Sequence, residues 1–329
     1  MNYIGNQLKT VEDNDVSVSL NESADFKNNS TAAIEYTYDL NGSMVSDLNK
    51  RITGITYNSL NLPKTLTGTM GSTTVINTYV YSATGRKLSV EHKKNGSVAK
   101  KTDYVGNIIY EGNASSTTIK RILIEGGYIE GGVYYFNITD HLGNVRVVAN
   151  SSGTLVQSNH YYPFGMAFAE GVTTSNQPYK YNGKELDKEN GINWYDYDAR
   201  HMDPALGRFT TMDPLAEKHY NVSPYAYVLN NPLRYIDPDG RIPWDRTVAS
   251  YTRIGDGYGV NRGTSTHFGY SYTKTTLHSY SSFLGTRVYN NAQTTSTTYY
   301  IIVTTDKNNN VSYKIYDNED EYNKAAQGW

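Results

Sequence analysis

Three Asp-Pro pairs, at Asp203, Asp213 and Asp237, punctuate the stretch from Trp194 to Gly240. Proline fixes φ and has no backbone N–H to donate, so each pair interrupts any helix or strand ladder and sets a turn. Asn230-Asn231-Pro232 adds another turn signal, and Asp237-Pro238-Asp239-Gly240 fits a β-turn in which glycine supplies the positive φ. Large aromatics stand between these stiff turns. Such a stretch folds as a compact, irregular plug rather than as a regular sheet or helix.

The chain before it has a different rhythm. Ile34-Glu35-Tyr36-Thr37-Tyr38-Asp39 alternates apolar and polar positions and meets Asn41-Gly42, a strong hairpin turn. Ile52 to Tyr57 alternates again, Asn77 to Tyr81 closes at Ala83-Thr84-Gly85-Arg86, and Thr102 to Asn107 supplies a further unit. Recurrent hairpins of this kind imply a mostly β repeat array over residues 1–135, whose units bury their faces against neighbours. Tyrosine is the compositional outlier, 32 against 7 Phe, which suits strands with one apolar face and one wet end. There is no cysteine, which excludes disulfide frameworks, thiolate zinc sites and cysteine nucleophiles. A net charge of −2 sets up no global field for nucleic acid or anionic lipid. The first residues lack the basic and apolar regions of a signal peptide, and no apolar run is long enough to span a bilayer. The start reads like the middle of a repeat, so an N-terminally truncated piece of a longer chain is expected.

Six motifs carry a resemblance: Asp140-His141-Leu142-Gly143-Asn144-Val145-Arg146, Tyr161-Tyr162-Pro163-Phe164-Gly165, Tyr181-Asn182-Gly183-Lys184-Glu185-Leu186, Leu206-Gly207-Arg208-Phe209, Tyr225-Ala226-Tyr227 through Asn230-Asn231-Pro232, and Asp237-Pro238-Asp239-Gly240. In this order they closely resemble the RHS-repeat-associated core domain, the C-terminal end of RHS/YD-repeat shells of polymorphic-toxin type. The resemblance implies a YD-repeat β-hairpin array (a partial shell, with open sheet edges) over residues 1–135. It implies a core or plug domain over 136–240 and a small α+β or β-rich variable region over 241–329. It further implies that the C-terminal region is a cargo, with an immunity protein as its partner, and that the full-length parent is secreted or displayed at the cell surface. No cofactor is called for.

In the resembled family the core domain acts as an intramolecular aspartyl protease that frees the C-terminal segment. Two carboxylates that share one proton split their titrations, so one works as base towards water while the other donates to the scissile carbonyl. Carried over by motif, the pair is Asp213 and Asp237, with Arg208 as supporting residue and cleavage expected within Arg241 to Ser250. The residues also admit plain roles. Asp213 before Pro214 is a good helix N-cap ahead of Leu215-Ala216-Glu217-Lys218, Asp237 a turn residue, and Asp203 an ion-pair partner of Arg208 or Arg200. The family's first motif is Asp-Pro-x-Gly, whereas this chain has Asp213-Pro214-Leu215-Ala216. Alanine does not take positive φ cheaply, so the local turn must differ.

Other features have blander readings. Asp140-His141 before a glycine is a turn holder before it is a metal ligand set. Lys184 to Glu189, the densest charge run, reads as a solvated surface turn. In the tail, Thr297 to Thr305 reads as a strand, Asp306 to Asn309 as a turn, Val311 to Tyr316 as its hairpin partner, and Asp317 to Glu321 as the opening of a helix. His267, His278, Arg253, Arg262 and Arg287 are the candidates for a metal-independent nuclease set. Two other function classes compete with the toxin reading: a cell-surface module binding carbohydrate through tyrosine-lined repeats, and an inactive remnant.

Overall fold

The computed structural model describes residues 1–13, 25–173, 177–218 and 220–241 and, beyond these, chiefly the strands named below. Fourteen strands form one antiparallel sheet in strict sequence order, from Tyr36–Tyr38 at one edge to Ala167–Thr173 at the other. The fold is mostly β, as the alternation of the sequence requires. The chain divides into two compact units, Met1–Arg246 and Thr247–Trp329.

One turn chemistry recurs along the sheet. In Asp39-Leu40-Asn41-Gly42-Ser43 the Asp39 carboxylate accepts the N–H groups of Asn41 (2.9 Å) and Ser43 (2.8 Å), and Gly42 takes φ +74°. Asn58 does the same for Leu60 and Leu62, and Asn150 for Ser152 and Thr154. Asp140 does it for Leu142 and Asn144, and also holds Arg146 Nε at 2.8 Å. Each side chain thereby satisfies donors that the ladder leaves orphaned at the bend. Burial opposes the Asp140 charge, but hydrogen bonds from Asn144 and Arg146 hold its pKa below the usual carboxylate value. Asp140 thus works here as a turn holder.

Trp194 to Gly240 is indeed irregular. Short strands at Glu185–Asp187, Trp194–Asp196, His201–Asp203 and Arg208–Phe209 make a four-stranded sheet, Tyr235–Ile236 pairs with Trp244–Asp245, and the rest is turns and single turns of 3-10 helix. Its interior is aromatic: Tyr181, Tyr195, Tyr197, Phe209 and Tyr227 pack with Met202 and Leu186. Tyr197 and Tyr227 meet at 5.5 Å between ring centroids, their hydroxyls 3.0 Å apart, and both donate to Asn182 Oδ1. The phenols therefore bury their rings without abandoning their hydroxyls, the condition for a tyrosine-rich core.

A second core joins this plug to the large sheet, with Ile192, Trp194 and Leu206 packed among Tyr36, Met44, Ile52, Leu66 and Tyr79. Polar bonds fasten the same seam. Lys87 pairs with Asp196 at 2.6 Å and Glu185 at 2.9 Å, Tyr104 donates to Glu185, and Tyr79 donates to Asp187, which also faces His92. Burial works against the Lys87 ammonium, yet Asp196 and Glu185 outweigh it and raise its pKa. This corrects the expectation of a solvated turn at Lys184 to Glu189. Leu186 is buried, Glu185 pairs with Lys87, and Asp187 accepts from Tyr79 and faces His92.

In the second unit, Gln293–Asp306 pairs with Ser265–His278 along its whole length and with Val311–Tyr316, in antiparallel registers. The expected Val311–Tyr316 hairpin partner is present. Arg253, Arg287, Asp317 and Glu319 lie outside the described residues, while Asp320 and Glu321 are helical.

Candidate functional site

Arg200 is the centre of the site. It ends the tight turn before strand His201–Asp203, almost fully buried, with its guanidinium 3.6 Å from the ring centroid of Phe209. Its Nη2 donates to Asp213 Oδ2 at 2.9 Å and to Asp237 Oδ2 at 3.4 Å. Its Nη1 donates to the Pro224 carbonyl at 3.0 Å and its Nε to the Gly240 carbonyl at 2.5 Å. One guanidinium thus gathers both carboxylates and two chain segments.

The carboxylates are held from the other side by backbone. Asp237 Oδ1 accepts the N–H groups of Gly240 (2.8 Å), Arg241 (3.0 Å) and Asp239 (3.3 Å), the same side-chain-to-backbone chemistry as the hairpin turns. Burial pushes the Asp237 pKa up; Arg200 and the backbone donors pull against it without cancelling it. Asp213 Oδ1 accepts Leu215 N–H at 2.7 Å ahead of the 3-10 turn Ala216–Lys218, so the capping role is real, with a 3-10 turn in place of a longer helix. A cavity of about 20 Å³ lies among Arg200, Asp213, Pro224, Val228 and Asp237, room for a single water. Beside it Val228, Leu229 and Asn230 all take positive φ (42°, 57° and 57°), a left-handed turn that a β-branched residue adopts only under constraint.

The structure brings Asp213 and Asp237 together through Arg200, and it places Arg208 on other partners. Arg208 lies in the strand after Gly207, donates to the Asn6 carbonyl at 2.8 Å and stacks on Tyr225 at 4.8 Å. Asp203 pairs with Lys50 at 3.3 Å and accepts from Trp194 Nε1 at 3.1 Å, not with Arg208 or Arg200. Sequence reasoning gave Arg200 only as a partner for Asp203. Its one signal was its position just before the aromatic and Asp-Pro elements. His267, His278 and Arg262 sit on strands Ser265–His278 and Val260–Arg262 of the second unit.

Gly240 closes the site from below. A Cβ there would stand 2.7 Å from the Tyr197 carbonyl and 3.0 Å from Arg200 N, at a φ of +74°. Gly240→Ala is expected to cost about 2–4 kcal/mol, combining αL strain with displaced backbone. Denaturant unfolding checks this; a loss below about 1 kcal/mol shows that the turn relaxes freely.

The Teneurin YD-shell family matches residues 128–233. Toxin subunit YenC2 of Yersinia entomophaga is 32% identical over 115 residues, covering 34% of this chain and 11% of its own length. The tRNA3(Ser)-specific nuclease WapA of Bacillus spizizenii is 28% identical over 235 residues, covering 68% of this chain and 10% of its own length. The chain therefore spans about a tenth of these relatives. The Photorhabdus luminescens Tc holotoxin pore superposes with a TM-score of 0.55 at 20% identity, over 70% of this chain and 12% of that one, a likeness of fold. Sequential hairpins, the aromatic plug and these matches together make this chain an RHS/YD-repeat protein.

Proposed function

We propose that this chain is the closing end of an RHS-type toxin component, in which residues 1–135 belong to the shell, 136–240 form the plug and 241–329 are cargo that the plug releases by cutting the chain. The observation that carries the reading is one guanidinium holding Asp213 and Asp237 beside a one-water cavity while donating to the Gly240 carbonyl. In the proposed step Asp213 takes a proton from the water, whose oxygen attacks a carbonyl at or just after Gly240. Asp237, protonated, gives its proton to the developing oxygen; as the tetrahedral intermediate collapses that hydroxyl returns the proton to Asp237, the C–N bond breaks, and Asp213 passes the proton taken from water to the peptide nitrogen, which leaves as an amine. Arg200 keeps the two acids in register and offsets their charge. Arg208 acts from further off, fixing the strand that carries Phe209 beneath Arg200. The Arg241–Ser250 segment falls mostly outside the described residues. A toxic cargo calls for an immunity protein in the producing cell, and for secretion or surface display of the parent. No helix among the described residues is long and apolar enough to cross a membrane.

Intact mass of the purified chain tests release. The wild type is expected to give a product ending between residues 241 and 250, and Asp213→Asn or Asp237→Asn to leave the chain whole. A folded wild type that stays intact overturns the proposal.

A further inference from the structure

Away from Arg200, the outer face of the large sheet changes chemistry partway along. Leu66, Tyr79 and Val90 pack towards the plug, so the residues that alternate with them point the other way. On that outer face Thr56, Thr65, Thr78, Glu91 and Lys101 are successive ladder partners, a polar row across five strands. From the strand Ser97–Val105 onward the row is Val105, Ile108, Ile122, Ile129 and Tyr134, and its one polar side-chain atom is the Tyr134 hydroxyl. Phe136 and Ile138 follow Tyr134 at the strand period of two. Gly127 and Ala149 stand on either side of Phe136, and Val147 stands beside Ile138. Val105, Tyr134, Phe136 and Ile138 keep between 49% and 59% of their surface exposed. The charged side chains of these later strands are spent elsewhere: Glu111 on Lys100, Lys120 and Arg121 on Glu130, and Arg146 on Asp140.

Six strands about 4.8 Å apart, over about 17 Å of strand length, make an apolar patch of roughly 400–500 Å². An apolar area of this size on a single chain marks a contact surface. Its chemistry and relief name the occupant. The patch holds no charge with which to select a charged partner. Tyr134, Phe136 and Ile138 form a ridge, and Gly127 and Ala149 are low steps on its two sides. Across a two-fold axis the ridge of one copy lies in the step of the other, which makes the face complementary to itself. Two such faces together bury roughly 800–1,000 Å², the size of a weak, reversible contact rather than an obligate one.

We propose that two copies of this chain pair face to face through the outer side of the strands from Ile108–Gly112 to Val145–Asn150. Each copy takes the exposed rings and branched side chains of the other out of water. The pairing does not rest on chain cutting, since the whole face lies within the unit Met1–Arg246 and shares no residue with the Arg200 cluster.

Sedimentation velocity of the purified chain over about 1–500 µM tests it. The mass is expected to rise from one chain to two, with a Kd of about 10–100 µM. Cutting near Gly240 lowers the masses of monomer and pair by the same share, so their ratio of two reads the pairing alone. Phe136→Lys/Ile138→Lys is expected to raise the Kd about tenfold or more. Thr78→Lys, in the polar row, is expected to leave it within about twofold. Phe136→Thr/Ile138→Thr keeps strand-favouring side chains and is expected to weaken pairing severalfold, reading the same face if lysine disturbs the strand. A chain that stays monomeric at about 500 µM overturns the proposal. Pairing that survives both double variants, or that Thr78→Lys weakens equally, also overturns it, because the contact then lies on another surface.

Discussion

Replacing Arg200 by alanine will unfold the plug before anything else in the chain. The substitution leaves Asp237, 1% exposed, and the half-shielded Asp213 facing each other without their shared countercharge. Breaking a buried ion cluster from one side costs about 3–5 kcal/mol, because the orphaned charges stay buried. It also removes donors from the Pro224 and Gly240 carbonyls and the cation resting on Phe209. Arg200→Lys keeps charge but not the fork, so it is expected to recover less than half of the loss. Urea unfolding followed by tyrosine and tryptophan fluorescence reads both. A loss under about 1 kcal/mol for the alanine variant means that Asp213 and Asp237 are not held by Arg200 in solution.

The second large effect is a pH dependence of unusual sign. Burial, against the pull of Lys50, raises the Asp47 pKa from 3.8 to about 7, and Asp203 adds repulsion. The folded chain therefore binds this proton more tightly than the unfolded chain does. Below the unfolded value Asp47 is neutral in both states and costs nothing. As pH rises from about 4 to 7, folding must oppose ionisation, and stability falls by up to about 4 kcal/mol. The Asp187 and Asp196 pKa values are lowered, so those carboxylates act in the opposite sense and at lower pH. The clean measure is the difference between wild type and Asp47→Asn. The variant is expected to be more stable at pH 8, by an amount that shrinks towards zero near pH 4. A difference that does not vary with pH refutes the assignment.

The strands and turns were legible because their causes are local. Asp39, Asn58 and Asp140 write their bends within five residues, by accepting the N–H groups two and four positions on. The plug was legible from its Asp-Pro pairs, and the aromatic residues between them supply its core. Two readings failed for want of distant partners. The Lys184 to Glu189 run looked solvated because Lys87, which pairs with Glu185, and Tyr79 and His92, which meet Asp187, stand about a hundred residues earlier. Arg200 and Arg208 are equally basic neighbours of the same motifs. Only the placement of the strand His201–Asp203 against Arg208–Phe209 sends one guanidinium to the aspartates and the other to Asn6.

The strictly consecutive order of the large sheet has a kinetic consequence. Every strand finds its neighbour within a few residues along the chain, so pairing advances as the polypeptide is made, without waiting for remote segments. The plug works on the opposite principle. Arg208 reaches back 202 positions to Asn6, and Tyr225 reaches back 183 to Gly42. Synthesis therefore lays down a ribbon first and seals it last, and a ribosome stalled before residue 208 would leave an unlocked scaffold with its seam to the plug bare.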